Sequence, residues 1–241
     1  MKVSIICCYF NEIHLIKKKL INSILKINNV IKPEEIILID NCSTDGTTEF
    51  LKENILGKIK NVKIIFNENN LGKGGSIKKA AKVAKGDILG IFDIDEYEID
   101  DLKTCINKIF KSYDLIIGSR LLEKKPDFLY KKNLYGVMLI TKIINILFKL
   151  NLTDAAGATK IFKKKIYDNL IINSSGFDFE FELICKFAKL DFNVAESPSN
   201  YKPRSYSDGK KLRAFRDGFK IFLAIIKCYL TPNRQVLKKT N

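Results

Sequence analysis

Two acidic side chains close an apolar run near the middle of the chain. Residues 86–95 read Gly-Asp-Ile-Leu-Gly-Ile-Phe-Asp-Ile-Asp, a pattern typical of a buried strand whose carboxyl end carries Asp93 and Asp95. Side chains at positions i and i+2 of an extended chain point to the same side, so both carboxylates would face one cation while Ile94 enters the core. Mg²⁺ or Mn²⁺ on a phosphate substrate commonly takes one or two carboxylates as ligands. The pair predicts such a metal site, and two solvated acids at a strand end are the alternative.

Apolar runs and helical periodicity predict the elements that would position these acids. Strands are expected at residues 3–9, 35–40, 62–67, 86–95 and 115–120. Helices are expected between them at residues 12–27, 76–84 and 102–110 and, after a turn at 41–47, in a segment that runs to residue 56. Apolar strands that alternate with helices indicate an α/β fold, with a mostly parallel sheet covered on both faces. Ligands of such sheets bind at the carboxyl ends of the strands. The polar residues expected there are Asn11, Glu12, Asp40, Asp93, Asp95 and Arg120.

The second half of the chain predicts further elements of the same domain. Residues 130–150 are a long helix candidate that lysines interrupt, so the segment suits a core or membrane-surface helix better than a bilayer span. A strand is expected at residues 158–162, a helix with Glu180 and Glu182 at 179–189, and a strand at 193–198. A polar basic loop at 201–211, an amphipathic helix at 212–230 and a frayed basic tail at 231–241 complete a single domain.

Charge and composition narrow the classes of partner. With 42 basic and 27 acidic residues, the chain carries a formal charge of +15, which favours nucleotides, phospholipid surfaces or nucleic acid. No basic patch interleaved with aromatic residues is present, so nucleic-acid binding is not expected. Six cysteines without a CxxC pair and a single histidine, His14, argue against a zinc site, a disulfide framework and Ser-His-Asp chemistry. The first residues lack a charged n-region, so no signal peptide is predicted, and buried reduced thiols in a cytosolic protein are expected.

A glycine-rich stretch precedes the acidic strand. Residues 71–76, Leu-Gly-Lys-Gly-Gly-Ser, lack the Gly-Lys-Ser/Thr order of a phosphate-binding P-loop. Their glycines would let the backbone approach a ligand closely, and Lys73 would reach a phosphate. A plain entry loop for a helix gives the same pattern.

Several motifs, taken in order, resemble those of family 2 glycosyltransferases. They are Cys-Tyr-Phe-Asn-Glu at 8–12, Asp-Asn-Cys-Ser-Thr-Asp-Gly-Thr at 40–47, Asn-Leu-Gly-Lys-Gly at 70–74, Gly-Asp at 86–87 and Asp-Ile-Asp at 93–95. Gly-Ser-Arg at 118–120, Leu-Thr-Asp at 152–154, Gly-Phe-Asp-Phe-Glu-Phe-Glu at 176–182 and the basic loop at 201–211 look like the polyprenyl-phosphate branch, which includes dolichol-phosphate mannosyl- and glucosyltransferases. The resemblance implies a GT-A fold and inverting, metal-dependent transfer from a nucleoside-diphosphate sugar.

The resemblance also implies a role for each matching residue. Nucleotide-sugar binding falls to Cys8, Phe10, Asn11, Glu12, Asp40, Lys73 and Asp93, and the metal, Mg²⁺ or Mn²⁺, to Asp93 and Asp95. Phosphate of the donor and acceptor would meet Arg120, Arg204, Lys210 and Lys211, and the implied catalytic set is Asp93, Asp95, Arg120 and Glu180. Residues 1–98 form the donor half, 99–211 the acceptor half and 212–241 the amphipathic helix and tail. The chain departs from the family pattern with Cys8 for proline, Phe10 for tyrosine and Asn41 for a second aspartate.

The sequence leaves the acceptor open. A polyprenyl phosphate is already an anionic nucleophile and needs no general base. A hydroxyl of a surface polysaccharide or lipid-linked glycan requires a carboxylate base, for which Asp154 and Glu180 are candidates. Each of these acids is equally suited to be the structural partner of a cation. A non-catalytic nucleotide-sugar-binding membrane scaffold is the alternative of another class.

An apolar face on the expected carboxyl-terminal helix favours a membrane partner. Its residues are Phe215, Phe219, Phe222, Leu223 and Ile226, beside Arg213, Arg216, Lys220 and Lys227. Such a face suits an anionic membrane surface. It would also fit the domain itself, a membrane-anchoring partner or a second subunit. The expected localisation is cytoplasmic, with peripheral association at the inner face of a membrane.

Overall fold

The strands assemble into one seven-stranded sheet that organises the rest of the domain. A computed structural model describes residues 1–94, 98–123, 131–200 and 214–238. In chain order the strands are β1 (Val3–Tyr9), β2 (Glu35–Asp40), β3 (Val62–Phe66), β4 (Ile88–Ile91), β5 (Leu115–Ser119), β6 (Lys160–Lys163) and β7 (Val194–Pro198). They lie in the order β3-β2-β1-β4-β6-β5-β7. The predicted α/β fold with a mostly parallel sheet is confirmed, since β1 to β4 pair in parallel and β5 pairs in parallel with β7.

Strand β6 runs against the direction of its neighbours. It pairs antiparallel with β4 and β5, and its first residue, Lys160, lies opposite Ile91 and Ile117. The amino end of β6 therefore lies at the edge of the sheet where the other strands end, which we call the carboxyl edge. An apolar run predicts a strand but not its direction, so the sequence did not indicate that Lys160 would reach this edge.

Helices cover both faces of the sheet. One face carries α3 (Gly72–Val83), α5 (Lys131–Phe148), α7 (Asp178–Lys189) and α8 (Ala214–Leu230), the other carries α1 (Ile13–Val30), α2 (Thr47–Asn54) and α4 (Ile99–Lys111), and the short α6 (Lys164–Asn169) follows β6. On α1 the buried residues are Ile16, Leu20, Ile24 and Ile27, at the helical spacing that predicted this element. Helix α3 begins at Gly72 instead of residue 76, because its glycines form the first turn. Of the helices in the described ranges, none is long and apolar enough to cross a bilayer.

The carboxyl-terminal tail differs from its prediction. The amide of Ile171 donates to the carbonyl oxygen of Val236 (2.9 Å), and the amide of Lys238 donates to that of Asn169 (2.8 Å). Val236 itself is fully buried in the core beneath α7 and α8. The prediction of a frayed tail is therefore wrong as far as residue 238, because one apolar side chain and its backbone bonds anchor the segment.

Candidate active site at the carboxyl edge

The loops that follow β1 and β2 brace each other at the carboxyl edge. The backbone of Asn11 is left-handed (φ 52°), a conformation that asparagine tolerates better than most residues. Its amide donates to the Ser43 hydroxyl (2.9 Å), and its side-chain oxygen accepts the Thr44 amide (2.8 Å). The Glu12 amide donates to the Thr47 hydroxyl (3.0 Å). These contacts fix the backbone of two residues predicted to line a nucleotide pocket.

Asp40, predicted to hold a base or ribose, is buried at the end of β2. Its carboxylate accepts the Ser43 amide (3.3 Å) and the Thr48 hydroxyl (2.5 Å), and the residue is only 1% exposed. In this arrangement the side chain holds the turn into α2. Its contact with a nucleotide stays a prediction.

Asn41 connects β2 to the start of α3 through side-chain amides. Its oxygen accepts hydrogen bonds from the side-chain nitrogen of Asn67 (3.1 Å) and the amide of Leu71 (2.9 Å). Its own side-chain nitrogen donates to Asn70 (2.9 Å), whose oxygen also accepts the Gly72 amide (2.9 Å). An aspartate has no such donor. The departure from the family pattern at Asn41 is therefore matched to a network that seats α3.

The glycines of the glycine-rich stretch contact protein backbone. The Gly75 amide donates to the Ser175 carbonyl oxygen (2.9 Å), and the Gly74 amide donates to that of Gly176 (3.3 Å). Gly72 has a φ of 74°, and a Cβ atom there would lie 2.4 Å from the Ser175 oxygen. The close approach that these glycines allow is thus between α3 and the segment before α7. Their approach to a ligand stays a prediction, since the amides of Gly74 and Gly75 have protein acceptors here.

Four charged side chains, two of them buried and two half-buried, form a continuous chain at the carboxyl edge. Lys73 Nζ lies 2.8 Å from Asp93 Oδ2 and 2.9 Å from Glu180 Oε1. Lys160 Nζ lies 3.0 Å from Glu180 Oε2 and also donates to the carbonyl oxygen of Gly157. We call Asp93, Lys73, Glu180 and Lys160 the charge cluster. It joins the first turn of α3, the segment that follows β4, the first turn of α7 and the start of β6.

Burial and charge pairing compete in setting the pKa values in the charge cluster. Burial alone raises the pKa of Glu180, but the ammonium groups of Lys160 and Lys73 outweigh it and hold that pKa below its usual value. Burial lowers the pKa of Lys73, yet Asp93 and Glu180 raise it well above its usual value. Burial also raises the pKa of the neighbouring Cys8 thiol to about 12. Glu180 is therefore ionised, and Cys8 is a protonated thiol beside it.

A second buried ion pair lies at the end of β5. Arg120 Nε and Nη2 donate to the two oxygens of Asp154 at 2.6 and 2.8 Å, and Asp154 is fully buried. Burial raises the pKa of Asp154, but the guanidinium of Arg120 outweighs this and holds the pKa below its usual value. Glu196 supports the pair by accepting the amides of Thr153 and Asp154 (both 2.7 Å). The pair is fixed in both position and protonation state.

The structure brings part of the predicted set together. Cys8, Lys73, Asp93 and Glu180 meet in or beside the charge cluster, and Arg120 lies on Asp154 at the same edge. Phe10 is half-buried at the end of β1. Four predicted residues lie outside the described ranges: Asp95, Arg204, Lys210 and Lys211. Among the residues that are described, no group of three or more acidic, histidine or cysteine side chains could hold a metal ion.

Sequence reasoning missed two residues of this edge, Lys160 and Glu196. Lys160 begins the short strand β6 and Glu196 lies within β7, and charged side chains are rarely buried without a partner. A charged residue within each predicted strand was the available signal, but its partners come from distant parts of the chain.

The sequence is similar to glycosyltransferases over most of its length. The model of the family "Glycosyl transferase family 2" matches residues 4–171. Glycosyltransferase AglJ of Haloferax volcanii is 24% identical over 200 residues, which cover 82% of this chain and 64% of the relative. The low-salt glycan biosynthesis hexosyltransferase Agl6 of the same organism is 27% identical over 191 residues, 77% of this chain and 44% of the relative. The chain thus spans less than two thirds of either relative.

The fold is similar to that of a solved enzyme, glucosyl-3-phosphoglycerate synthase from Mycobacterium tuberculosis. Its complex with Mn²⁺, UDP and phosphoglyceric acid superposes with a TM-score of 0.70 at 14% identity, covering 96% of this chain and 79% of that chain. Its complex with Mg²⁺ and UDP gives a TM-score of 0.68 at the same identity, covering 96% and 80%. This likeness confirms the expected GT-A fold.

Proposed function

Because the chain belongs to glycosyl transferase family 2, we propose that it is an inverting, metal-dependent hexosyltransferase. It would move a sugar from a nucleoside-diphosphate sugar to a polyprenyl phosphate. One observation carries the choice of acceptor: both acids that could serve as a general base are held in buried ion pairs. Asp154 is bonded at two points by Arg120, and Glu180 lies between Lys73 and Lys160.

The pairing of these acids weakens them as bases. A general base works best when its pKa lies near the working pH, so that it both binds and releases the proton. Cations hold the pKa values of Asp154 and Glu180 below those of ordinary carboxylates. A hydroxyl acceptor would therefore receive little assistance from either. A phosphate acceptor is already anionic and needs cations beside the leaving group, which this edge supplies.

Asp93 suits the proposed divalent cation. Its carboxylate is a hard oxygen donor at the carboxyl edge, the type that Mg²⁺ and Mn²⁺ prefer, and Asp95 would be the second ligand. Its Oδ2 is paired with Lys73 at 2.8 Å, so a cation bound there would replace or share that contact. A bound cation would neutralise the charge that develops on the departing nucleoside diphosphate. The cations and UDP in the similar solved structures support this proposal. In the donor half, residues 1–98, the proposed nucleotide pocket is lined by Cys8, Phe10, Asn11, Glu12, Asp40 and Lys73.

Of the four residues proposed to bind phosphate in the acceptor half, residues 99–211, the structure describes only Arg120. Its side chain is 9% exposed and is held in place by Asp154, so its position is fixed before a substrate binds. A guanidinium held in one position suits phosphate recognition, and Asp154 engages two of its five N–H donors, those on Nε and Nη2. We propose that Arg204, Lys210 and Lys211 join it when donor and acceptor phosphates are brought together.

An exposed apolar surface would give access to a lipid acceptor. On α8, Phe219 is 64% exposed, Leu223 49% and Phe222 40%. Arg216, Lys220 and Lys227 on the same helix are also exposed. We propose that this α8 surface lies on the anionic cytoplasmic face of a membrane, where apolar side chains enter the interface and cations meet lipid headgroups. The protein would then be cytoplasmic and peripherally bound.

Vesicle binding tests the α8 surface. The double substitution Phe219→Ser with Leu223→Ser should weaken co-sedimentation with phosphatidylglycerol vesicles about tenfold, because it removes exposed apolar area from the contact. The matched control changes two exposed apolar residues of the lysine-rich α1, Ile21→Ser with Leu25→Ser, and should bind like the wild type. Equal binding by both double variants would contradict membrane contact through α8, and loss of a dimer in the α8 variant would assign the surface to a second subunit.

Transfer of label tests the function as a whole. Radiolabelled UDP- and GDP-sugars are incubated with Mn²⁺ and undecaprenyl phosphate, and label should appear in the lipid with wild-type protein but not with Asp93→Asn. Absence of labelled lipid with every donor would overturn the proposal. A second candidate is transfer to a glycan hydroxyl, since the name of Agl6 places that relative in glycan biosynthesis. A product that forms only with such an acceptor would select it, and donor binding without any product would select the scaffold.

A further inference from the structure

The first turn of α3 rests on a short segment that precedes α7, residues 173–176. Two backbone hydrogen bonds join them, from the Gly75 amide to Ser175 and from the Gly74 amide to Gly176. The first turn of α3 is packed closely at this point, because a Cβ atom on Gly74 would lie 2.4 Å from the side chain of Phe179. Lys73 lies between the bonded glycines and Gly72, whose backbone is left-handed. The direction in which Lys73 leaves the helix is therefore set by where residues 173–176 lie.

Residues 173–176 are held from beneath by Glu182. Its two carboxylate oxygens accept the Asn173 amide (both 3.1 Å), and one of them accepts the Ser174 amide (2.7 Å). Glu182 is 5% exposed and pairs with Lys186 at 2.5 Å on the same helix. Lys186 in turn donates to the carbonyl oxygen of Ile171. One buried carboxylate thus binds the backbone of the segment that contacts the first turn of α3.

Glu182 does not belong to the charge cluster. It lies two residues beyond Glu180 on α7, and successive positions two apart on a helix point to different sides. Glu180 contacts the lysines of the charge cluster, whereas Glu182 contacts backbone amides. Of the two acids in the Phe-Glu-Phe-Glu motif, one therefore faces the candidate site and the other faces the segment that supports it.

We infer that Glu182 is a positioning residue for the donor site, acting through residues 173–176 on Lys73. The path has three bonded steps: from Glu182 to the amides of residues 173 and 174, from residues 175 and 176 to Gly75 and Gly74, and from Lys73 to Asp93 and Glu180. The inference rests on the proposed function, in which Lys73 and Asp93 border the nucleoside diphosphate. Preorganised contacts bind a ligand more tightly because less ordering is left to do on binding.

A matched control is available at the opposite edge of the sheet. Glu35 is 3% exposed and, like Glu182, bonds residues that are distant in the chain. Its carboxylate accepts the Ser4 hydroxyl (2.8 Å) and the Lys85 amide (2.5 Å), and it pairs with Lys63. Glu35→Gln removes a buried, bonded carboxylate of the same kind as Glu182→Gln. Because Glu35 begins β2, at the far end from the charge cluster, its loss should lower stability without reaching the donor site.

Two measurements on the full chain test this inference. In hydrogen exchange, the amides of residues 73–75 should exchange at least about tenfold faster in Glu182→Gln than in wild type and should be unchanged in Glu35→Gln. In calorimetry with Mn²⁺, the Kd for UDP or GDP, whichever the wild type binds, should rise about tenfold in Glu182→Gln and less than about twofold in Glu35→Gln. Glu182→Asp keeps the charge, and both its exchange rates and its Kd should lie between those of Glu182→Gln and the wild type. If Glu182→Gln does not fold, Glu182→Asp takes its place in both comparisons.

Several results would contradict the positioning role, its link to the donor or the proposed function. Unchanged exchange at residues 73–75, or equal changes in the Glu182 and Glu35 variants, would overturn the positioning role. Faster exchange with an unchanged Kd would overturn its link to the donor. Failure of the wild type to bind either nucleotide, with the exchange result intact, would contradict the proposed function and leave the path from Glu182 to Lys73 as a structural finding.

Discussion

The two edges of the sheet bury carboxylates in different ways. At the opposite end of the strands, where β2 begins and which we call the amino edge, Glu35 accepts hydrogen bonds from a hydroxyl and an amide. Its cation, Lys63, has a side chain that is 43% exposed. At the carboxyl edge, Glu180 and Asp154 are paired with Lys160 and Arg120, whose side chains are 0% and 9% exposed. In the first arrangement two neutral donors and one exposed cation hold a buried acid, whereas in the second both members of each ion pair are removed from water.

The difference shows where the fold carries a cost that packing alone does not require. Removing both members of an ion pair from water is expensive, and replacement of such pairs by apolar residues is often neutral or stabilising. Glu35 shows that this sheet can fix a buried acid without a buried cation. Groups with perturbed pKa values gather at functional sites. A buried pair can also be structural, as that of Glu182 with Lys186 is, and we propose that substrate anions account for the buried cations of the carboxyl edge.

Loss of Asp93 should have the largest effect on activity. Asp93→Asn removes a proposed metal ligand and leaves Lys73 paired with Glu180 alone. Transfer of labelled sugar should fall about 10³-fold, because the charge on the leaving group loses its stabilisation. Glu35→Gln should retain activity within about twofold when both are assayed well below their unfolding temperatures. Comparable losses in the two variants would remove the functional distinction between the edges.

Loss of Asp154 should have the largest effect on stability. Asp154→Asn leaves the buried guanidinium of Arg120 without its carboxylate, which should cost about 3–5 kcal/mol of the free energy of unfolding. Glu35→Gln should cost about 1–3 kcal/mol, since one buried hydrogen-bonding group is compromised. Urea unfolding followed by circular dichroism measures both. An equal or smaller loss for Asp154→Asn would show that breaking the buried pair at the carboxyl edge costs no more stability than changing Glu35 at the amino edge.

The pH dependence of unfolding should depend on Lys160. Because the folded-state pKa values of Glu180 and Asp154 are lowered, their stabilisation is present above the unfolded pKa values near 4 and is lost as the pH falls through the folded values. Lys160→Met removes an ammonium group that lowers the pKa of Glu180, so burial raises that pKa. Acid unfolding should then begin about one pH unit higher. Acid titration of the circular dichroism signal measures this. An unchanged midpoint would show that Lys160 does not hold Glu180 ionised.

The smallest effect is expected for Lys63 at the amino edge. Lys63→Met leaves Glu35 its bonds to Ser4 and Lys85, and the lysine is too exposed to contribute much. Urea unfolding should show a loss below about 1 kcal/mol. A loss as large as that of Asp154→Asn would contradict the contrast between the edges.

Much of the fold and part of the site could be predicted from local pattern. Apolar runs marked the strands, and the rule that ligands lie at strand ends placed Asp93 and Arg120 at one edge. The direction of β6, and with it Lys160, depends on pairing with two strands far apart in the chain. The partner of the glycine-rich stretch likewise lies about a hundred residues away, at Ser175. Contacts of this kind follow from packing of the whole domain, which no short window of sequence contains.

A pair of matched acceptors tests the central claim, that the acceptor brings its own negative charge, most directly. Wild-type protein is given labelled donor with either undecaprenyl phosphate or the corresponding alcohol in the same anionic vesicles. Label should enter the phosphate and not the alcohol, because neighbouring cations hold the pKa values of Asp154 and Glu180 below their usual values and so make both acids weak bases. Transfer to the alcohol or to a glycan hydroxyl, abolished by Glu180→Gln or Asp154→Asn and absent with the phosphate, would contradict the account.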